Sequence, residues 1–459
     1  MSVTPLSPFV REVRACFSPK GRLAMALGDF VSRPSQVEYA ETVAQALEGK
    51  KSVVLEAGTG TGKTFAYLVP ALLAGRKAIV STAGKTLQAQ LFEKDIPALQ
   101  AALGVHIDAR LLKGRSNYIC LKRLNQVRQT GLPSREAFED LARIETFAKS
   151  DAGGDKAHVT GVAEDAIIWP YVTSTKENCL GGKCPYASDC FVNRARAAAK
   201  EAELVVVNHH LLLSALAVRD ESETEMLPTS DIIIVDEAHK LTEIAMDFFG
   251  QELSSWYIKE QVKEAKSITM SRHRSVLPKD RSWDALCDAV TYAMQDFVLK
   301  LEALGVLEGD SRDLAQIEDV EQAASVLALC GGHLRALVEA LKTVAEADED
   351  LEKLQSLLSL ELTQIERWQA CLLNPKASVT NEDGIVQVRW IERTTTEVRL
   401  HETPISFALD FERMRDALGE VSWVFTSATL ATGAGDFSHF VRELGLDQVE
   451  THAWASPFD

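Results

Sequence analysis

One loop constrains the fold of this chain more than any other feature. An apolar run at 52–55 (SVVL) leads into Glu56, Ala57, Gly58, Thr59, Gly60, Thr61, Gly62, Lys63 and Thr64, and a helical pattern follows at 65–73. Glycines at 58, 60 and 62 let the backbone curl until successive N–H groups face one anion, which also sits at the positive end of the next helix. Lys63 then reaches the β- and γ-phosphates of a nucleoside triphosphate, and the Thr64 hydroxyl joins a Mg²⁺ shell. The strict pattern starts on Gly; here that position is Ala57, a small residue and a minor departure. A loop of this kind works only between a buried strand and a helix, so the chain is expected to be α/β.

Other short apolar runs support that class. Those at 78–81 (AIVS), 204–207 (LVVV), 232–235 (IIIV) and 423–426 (WVFT) read as buried parallel strands, with helical patterns such as 34–47 between them. The run at 232–235 ends in Asp236, Glu237, Ala238 and His239. A carboxylate at the end of a buried strand beside a phosphate loop is placed to hold Mg²⁺, and the next one to orient or deprotonate water. Asp236 is therefore assigned to the metal and Glu237 to the base, while His239 is expected to link the γ-phosphate site to a neighbouring segment.

Two stretches interrupt the alternation. From about 106 to 203 the chain carries Cys120, Cys179, Cys184 and Cys190 and a Gly-containing loop at 151–155. Four residues separate Cys179 from Cys184 and five separate Cys184 from Cys190, so the spacing alone admits either tetrahedral zinc or an iron–sulfur cluster. From about 256 to 375 the chain is mostly helical, with Leu/Ala periodicity at 282–304 and 315–373. The acidic tract 346–350 reads as a solvated helix end or turn, and 385–392 with 397–400 as a hairpin.

Net charge is −17, which argues against a polyanion partner until the chain is divided. Residues 1–200 hold 27 basic and 19 acidic side chains, whereas 201–459 hold 22 and 47. Within 101–150 there are nine Lys or Arg against five acids, including Lys113, Arg115, Lys122 and Arg123, and Tyr118 is expected to stack on a base. No stretch approaches the ~20 apolar residues that span a bilayer. A cytoplasmic location is expected.

These motifs, in this order, resemble the XPD-like group of superfamily 2 DNA helicases with an iron–sulfur cluster, in its bacterial YoaA and DinG branch and nearer the former. The resemblance runs through Arg33 and Gln36, residues 56–64, Val80-Ser81-Thr82 with 87–91 (LQAQL), 112–120, Val207-Asn208-His209-His210-Leu211, the DEAH residues 236–239, and Ser427-Ala428-Thr429-Leu430. It implies a RecA-like P-loop motor domain with a mostly parallel sheet, built from 1–105, 204–255 and 406–459. A four-cysteine cluster domain is inserted at 106–203 and a helical arch with its hairpin at 256–405. It implies ATP and Mg²⁺ as cofactors, adenine recognition by Arg33 and Gln36, and a [4Fe–4S] cluster on the four cysteines. DNA contacts are implied at Thr82, Lys113, Arg115 and Tyr118, and coupling through Ser427 and Thr429.

Asn208 and the two histidines after it are given a positional role near the nucleotide. The implied activity is 5′ to 3′ unwinding of single-stranded or forked DNA in repair or replication, in a bacterial, nucleoid-associated setting. The clamp-loader chi subunit of DNA polymerase III is an implied partner. A second RecA-like domain with arginine fingers is expected to be absent, leaving the chain weak in hydrolysis. A non-catalytic single-strand-binding module and an RNA helicase are the competing readings.

Overall fold

The computed structural model describes residues 6–455 except 131–133, 151–152, 177, 222–225, 274–281, 347, 381–382, 396 and 434. The chain divides into two compact units, one of Met1–Gly114, Phe191–Phe248 and Ser406–Asp459, the other of Arg115–Cys190 and Phe249–Ile405.

The first unit is built on a seven-stranded parallel sheet. Its strands are β1 (Val53–Ala57), β2 (Ala78–Thr82), β3 (Ala109–Leu111), β4 (Leu204–Asn208), β5 (Ile232–Asp236), β6 (Ser422–Ser427) and β7 (Glu450–Trp454), in the order β7-β1-β6-β5-β2-β4-β3. The five strands expected from apolar runs are present, each within two residues of its expected limits. Helices cover both faces, and Pro34–Glu48 buries Tyr39, Ala40, Val43, Ala44 and Leu47 in the core that β1 shares.

β3 and β7 carry no continuous apolar run, because each sits at an edge and is only partly covered. They move the boundaries. Leu112 N–H donates to Val206 O at 2.9 Å, so the chain stays on this sheet to residue 114, and the helix Phe191–Glu201 already belongs to it on the way back. The four-cysteine stretch that falls outside the first unit is thus 115–190, against the expected 106–203.

In the second unit four long helices, Ser255–Arg272, Trp283–Ala303, Gln322–Ala345 and Glu349–Leu373, pack around a common core of Leu, Ile, Val and Trp368. An antiparallel sheet joins them, in which Val386–Arg393 pairs with Val398–Pro404, the expected hairpin in slightly longer form. Gln322–Ala345 is long and apolar enough to cross a membrane, against the expectation that no stretch of this chain is. Its apolar side, Leu327, Cys330, Leu334, Leu337 and Leu341, lies buried among the other helices, which accounts for the composition.

The acidic tract is a helix start but not a solvated one; Ala347 within it lies outside the described residues. Asp348 caps Glu349–Leu373 by accepting from the N–H groups of Asp350 (3.0 Å) and Leu351 (3.4 Å). Its carboxylate also meets Arg272 and His273, each at 2.9 Å, and Asp350 meets Arg272 at 3.0 Å and Lys122. The side chains of Asp348 and Asp350 are only 9% and 14% exposed, since capping turns them toward cations on neighbouring segments. Part of the expected loop at 151–155 lies outside the described residues.

Candidate nucleotide site

The strand order decides which motifs meet. β6 lies between β1 and β5, so the phosphate loop, Ser427 and the Asp236-Glu237 pair leave the same edge of the sheet on three adjacent strands. Glycine is required within the loop. Gly60 and Gly62 have φ of 77° and 78°, and a Cβ on Gly62 would collide with the Gln36 amide. Gly62 caps the helix Lys63–Leu73, whose first amides face the loop. Lys63 Nζ donates to Ala57 O at 2.8 Å and Thr61 Oγ1 to Gly58 O at 2.8 Å, which folds the loop over its own strand end. Arg33 donates to Gly60 O and Gln36 Nε2 to Gly62 O at 3.0 Å. Both residues expected to read adenine are thereby fixed beside the phosphate loop.

Asp236 is buried at the end of β5. Burial first, and the neighbouring Glu237 second, push its carboxyl up to about 6. Tyr67 Oη donates to Asp236 Oδ2 at 3.0 Å and also meets the Thr64 hydroxyl, so one phenol ties together the two residues expected around Mg²⁺. Glu237 has a φ of 52°, the left-handed region that a non-glycine residue adopts only when held there. Its side chain is held by Ser427 Oγ at 3.4 Å and His239 Nδ1 at 3.4 Å, and His239 Nδ1 lies 2.7 Å from Ser427 Oγ. His239 thus lies between Glu237 and Ser427. Thr429 is exposed, and its N–H donates to Ser427 Oγ at 3.4 Å.

Three participants carried no local signal. Glu56 Oε2 accepts from the N–H groups of Leu430 and Ala431, the latter at 2.7 Å, joining the start of the phosphate loop to the end of the Ser427 motif. Tyr39 donates to Thr426 Oγ1, and Tyr67 reaches Asp236. Each partner is remote in the chain and becomes adjacent only through strand order.

The expected DNA contacts fare differently. Thr82 is wholly buried at the end of β2, and Tyr118 is 5% exposed, so neither presents the hydroxyl or ring face that a nucleic acid needs. Tyr118 packs inward because the chain around it is pinned by the bridges Tyr118–Asp155 and Ile119–Thr173. Lys113 and Arg115 are half-buried. Lys122 is engaged with Asp350, and Arg123 with Glu264 at 3.3 Å and Pro170 O at 3.0 Å, so these two cations are not an open track.

Cys120, Cys179, Cys184 and Cys190 are half-buried free thiols in the second unit. Burial pushes the Cys120 thiol up; Arg123 opposes this, and Cys179 and Cys184 lie near enough to add to it. Among the described residues no group of three or more His, Cys, Asp or Glu side chains is arranged as a metal site.

A DEAD/DEAH box helicase model covers residues 36–131, and a second model, DEAD_2, covers 175–258. The ATP-dependent DNA helicase YoaA of Escherichia coli is 38% identical over 96% of this chain and 66% of its own, and the ATP-dependent helicase DinG of Mycobacterium tuberculosis is 36% identical over 51% of this chain and 38% of its own. Among solved structures an XPD helicase aligns with a TM-score of 0.45 at 13% identity, over 92% of this chain and 62% of that one. The chain spans about two thirds of the length of the YoaA relatives. Being 36% identical to YoaA of Haemophilus influenzae over 98% of its own length and 68% of that protein's, the chain belongs to the YoaA family of DEAD/DEAH box helicases.

Proposed function

We propose that the chain carries the nucleotide-binding motor of an ATP-dependent DNA helicase of the XPD and DinG type, moving 5′ to 3′ in bacterial DNA repair or replication. The observation that carries this reading is the convergence of Lys63, Asp236, Glu237, His239 and Ser427 at the ends of three adjacent parallel strands. The loop amides and Lys63 bind the phosphates, and Arg33 and Gln36 take the adenine side. Glu237, held by Ser427 and His239, orients water and accepts its proton. Thr64 and Asp236 would hold Mg²⁺, which supplies neutralising charge on the phosphates when bound. Asp236 suits that role, since its burial disfavours a lone carboxylate and a cation would offset the penalty.

The four cysteines fit a [4Fe–4S] cluster in donor chemistry: all are free thiols, and Cys120 feels Cys179 and Cys184. Cys120, Cys179, Cys184 and Cys190 would hold it, and a bound cluster supplies a crosslink between two distant segments. DNA is the proposed substrate, the cytoplasm the proposed location, and the clamp-loader chi subunit a proposed partner.

Binding of a fluorescent ATP analogue tests the motor reading. Lys63→Ala is expected to weaken Mg²⁺-dependent binding at least about tenfold, while Glu237→Gln leaves it within about threefold and lowers DNA-stimulated hydrolysis ~10²-fold. Binding indifferent to both Lys63 and Mg²⁺ overturns it. For the cysteines, anaerobic purification with iron and sulfide analysis is expected to give about four of each per chain. Stoichiometric zinc without iron refutes the cluster.

A further inference from the structure

The four cysteines sit on two stretches far apart in sequence, and one helix start in the same unit touches both. Cys120 precedes the helix Leu121–Thr130, whose Lys122 and Gln126 side chains both reach the Asp350 carboxylate, Gln126 Nε2 at 3.1 Å. Lys353 Nζ donates to the carbonyl of Cys179 itself and to that of Lys176 at 3.3 Å. Between Asp350 and Lys353, Glu352 lies 3.7 Å from Lys183, the residue before Cys184. The turn 348–353 that opens the helix Glu349–Leu373 thus holds the Cys120 side through Asp350 and the Cys179 side through Lys353.

These grips differ in strength. The Lys183–Glu352 pair is more than half exposed on both sides and contributes little. Lys122 and Asp350 are 12% and 14% exposed, and Arg272 fixes Asp350 from another helix at 3.0 Å, so that end is rigid. Lys353 is half-buried, and two carbonyls converge on its ammonium in charge-assisted bonds that set the path of the chain into Cys179. The bridge Ile119–Thr173 and the bond from Cys120 N–H to Val172 O at 2.7 Å also bring the two stretches side by side, but both lie before Cys179. Past Cys184, Asn125 Nδ2 donates to Tyr186 Oη at 2.7 Å, an exposed link. Among the described residues the sulfur atoms are not gathered as a metal site, so the turn acts on the backbone that carries them.

We infer that the turn 348–353 positions the four-cysteine site: Asp350 and Lys353 are positioning residues that hold the Cys120 and Cys179 stretches together independently of any bound group. This rests on the reading of the four cysteines as ligands of a single group, and it gives the helical segment a part in retaining that group. The effect is reciprocal. A turn that already orders the chain around the thiols raises their affinity for the group, and the bound group steadies the turn by the same free energy.

The 459-residue chain, reduced and stripped of metal, is titrated with Zn²⁺ against a chromophoric chelator, a probe that four thiolates bind whatever group they hold in use. Lys353→Met keeps the stem and removes the donor to the Cys179 carbonyl; it is expected to lower Zn²⁺ affinity about tenfold, the scale of losing an outer-shell partner, whereas Lys353→Arg stays within about threefold. Lys122→Met releases the Cys120 side but leaves Asp350 with Arg272, and is expected to act like Lys353→Met, so a folding failure of one variant does not decide the matter. Arg335→Met removes an exposed pair with Glu366 in the same unit and is expected to change nothing, which separates positioning from a general loss of stability. Hydrogen exchange at the amides of 349–353 is expected to slow about fivefold or more on Zn²⁺ loading. In the chain purified anaerobically, a chelator is expected to remove iron from Lys353→Met about tenfold faster than from the unaltered chain. Zn²⁺ affinity unchanged in both Lys353→Met and Lys122→Met, or exchange at 349–353 indifferent to loading, overturns the inference. An anaerobic chain without iron whose Zn²⁺ affinity still shifts as stated overturns only the cluster reading, and an unaltered chain that binds no Zn²⁺ overturns both.

Discussion

Glu56 offers the sharpest test of how the site is assembled. It is half-buried at the end of β1, and one of its oxygens accepts two backbone N–H groups, those of Leu430 and Ala431. A hydrogen bond to a charged group is worth ~1.5–3 kcal/mol, and unsatisfied buried donors cost ~1–3 kcal/mol each. The two bonds share one oxygen and water reaches the site in part, so Glu56→Ala should lose ~2–3 kcal/mol of local stability rather than the full sum. Glu56→Gln keeps an acceptor without the charge and should lose ~1 kcal/mol, because charge-assisted bonds are roughly twice as strong as neutral ones.

Hydrogen exchange reads the two amides directly. In a peptide covering residues 428–433, exchange at Leu430 and Ala431 should accelerate ~30- to 150-fold in Glu56→Ala and ~5-fold in Glu56→Gln, the factors that correspond to those energies. Peptides from the 255–373 helices should be unchanged. Acceleration below about threefold in Glu56→Ala would mean that the Ser427 segment is held by β6 pairing alone, and that Glu56 does not join it to the phosphate loop.

Other perturbations have equally definite outcomes. Because the Asp236 carboxyl is raised from 3.8 to about 6 in the folded chain, the folded form holds its proton where the unfolded chain has lost it. Its contribution is therefore greatest below pH 3.8, falls as pH rises between 3.8 and about 6, and costs ~3 kcal/mol above that. In EDTA without nucleotide, thermal unfolding should show Asp236→Asn relatively more stable than the unaltered chain at pH 7.5 than at pH 4.5; the same difference at both values refutes the assignment. Gly62→Ala places a Cβ against Gln36 at a φ of 78° and should weaken nucleotide binding at least about tenfold, ~1.4 kcal/mol. An unchanged titration contradicts the loop geometry. Asp350→Asn leaves Lys122 and Arg272 short of a carboxylate in a mostly buried network and should destabilise the second unit by ~2–4 kcal/mol in urea unfolding. A loss under ~0.5 kcal/mol would make this a solvated helix end after all.

The phosphate loop, the five buried strands and the acidic strand end were legible because each is a local pattern with one physical solution. Curled backbone around an anion needs Gly60 and Gly62, and a strand buried on both faces needs an unbroken apolar run. Edge strands escape that demand, which hid β3 and β7 and shifted the expected limits of the four-cysteine stretch. The same limit applies to residues 113–123. Their cations and Tyr118 look like a nucleic-acid track in one dimension, yet Tyr118 is turned inward and Lys122 and Arg123 are consumed by Asp350 and Glu264, more than a hundred residues away.

The linear order of residues determined which chemistry this chain holds: phosphate loop, paired carboxylates and four thiols. Which of those groups meet was settled by folding. The insertion of β6 between β1 and β5 sets Ser427 against Glu237 and Glu56 against Leu430, and the passage of β2 between β4 and β5 sets His209 on Ser81. Burial then assigns the charge states, raising Asp236 and keeping His209 neutral. The physical reason is that backbone curvature and strand propensity are local properties, whereas desolvation and hydrogen bonding between distant strands exist only once the sheet has closed around them.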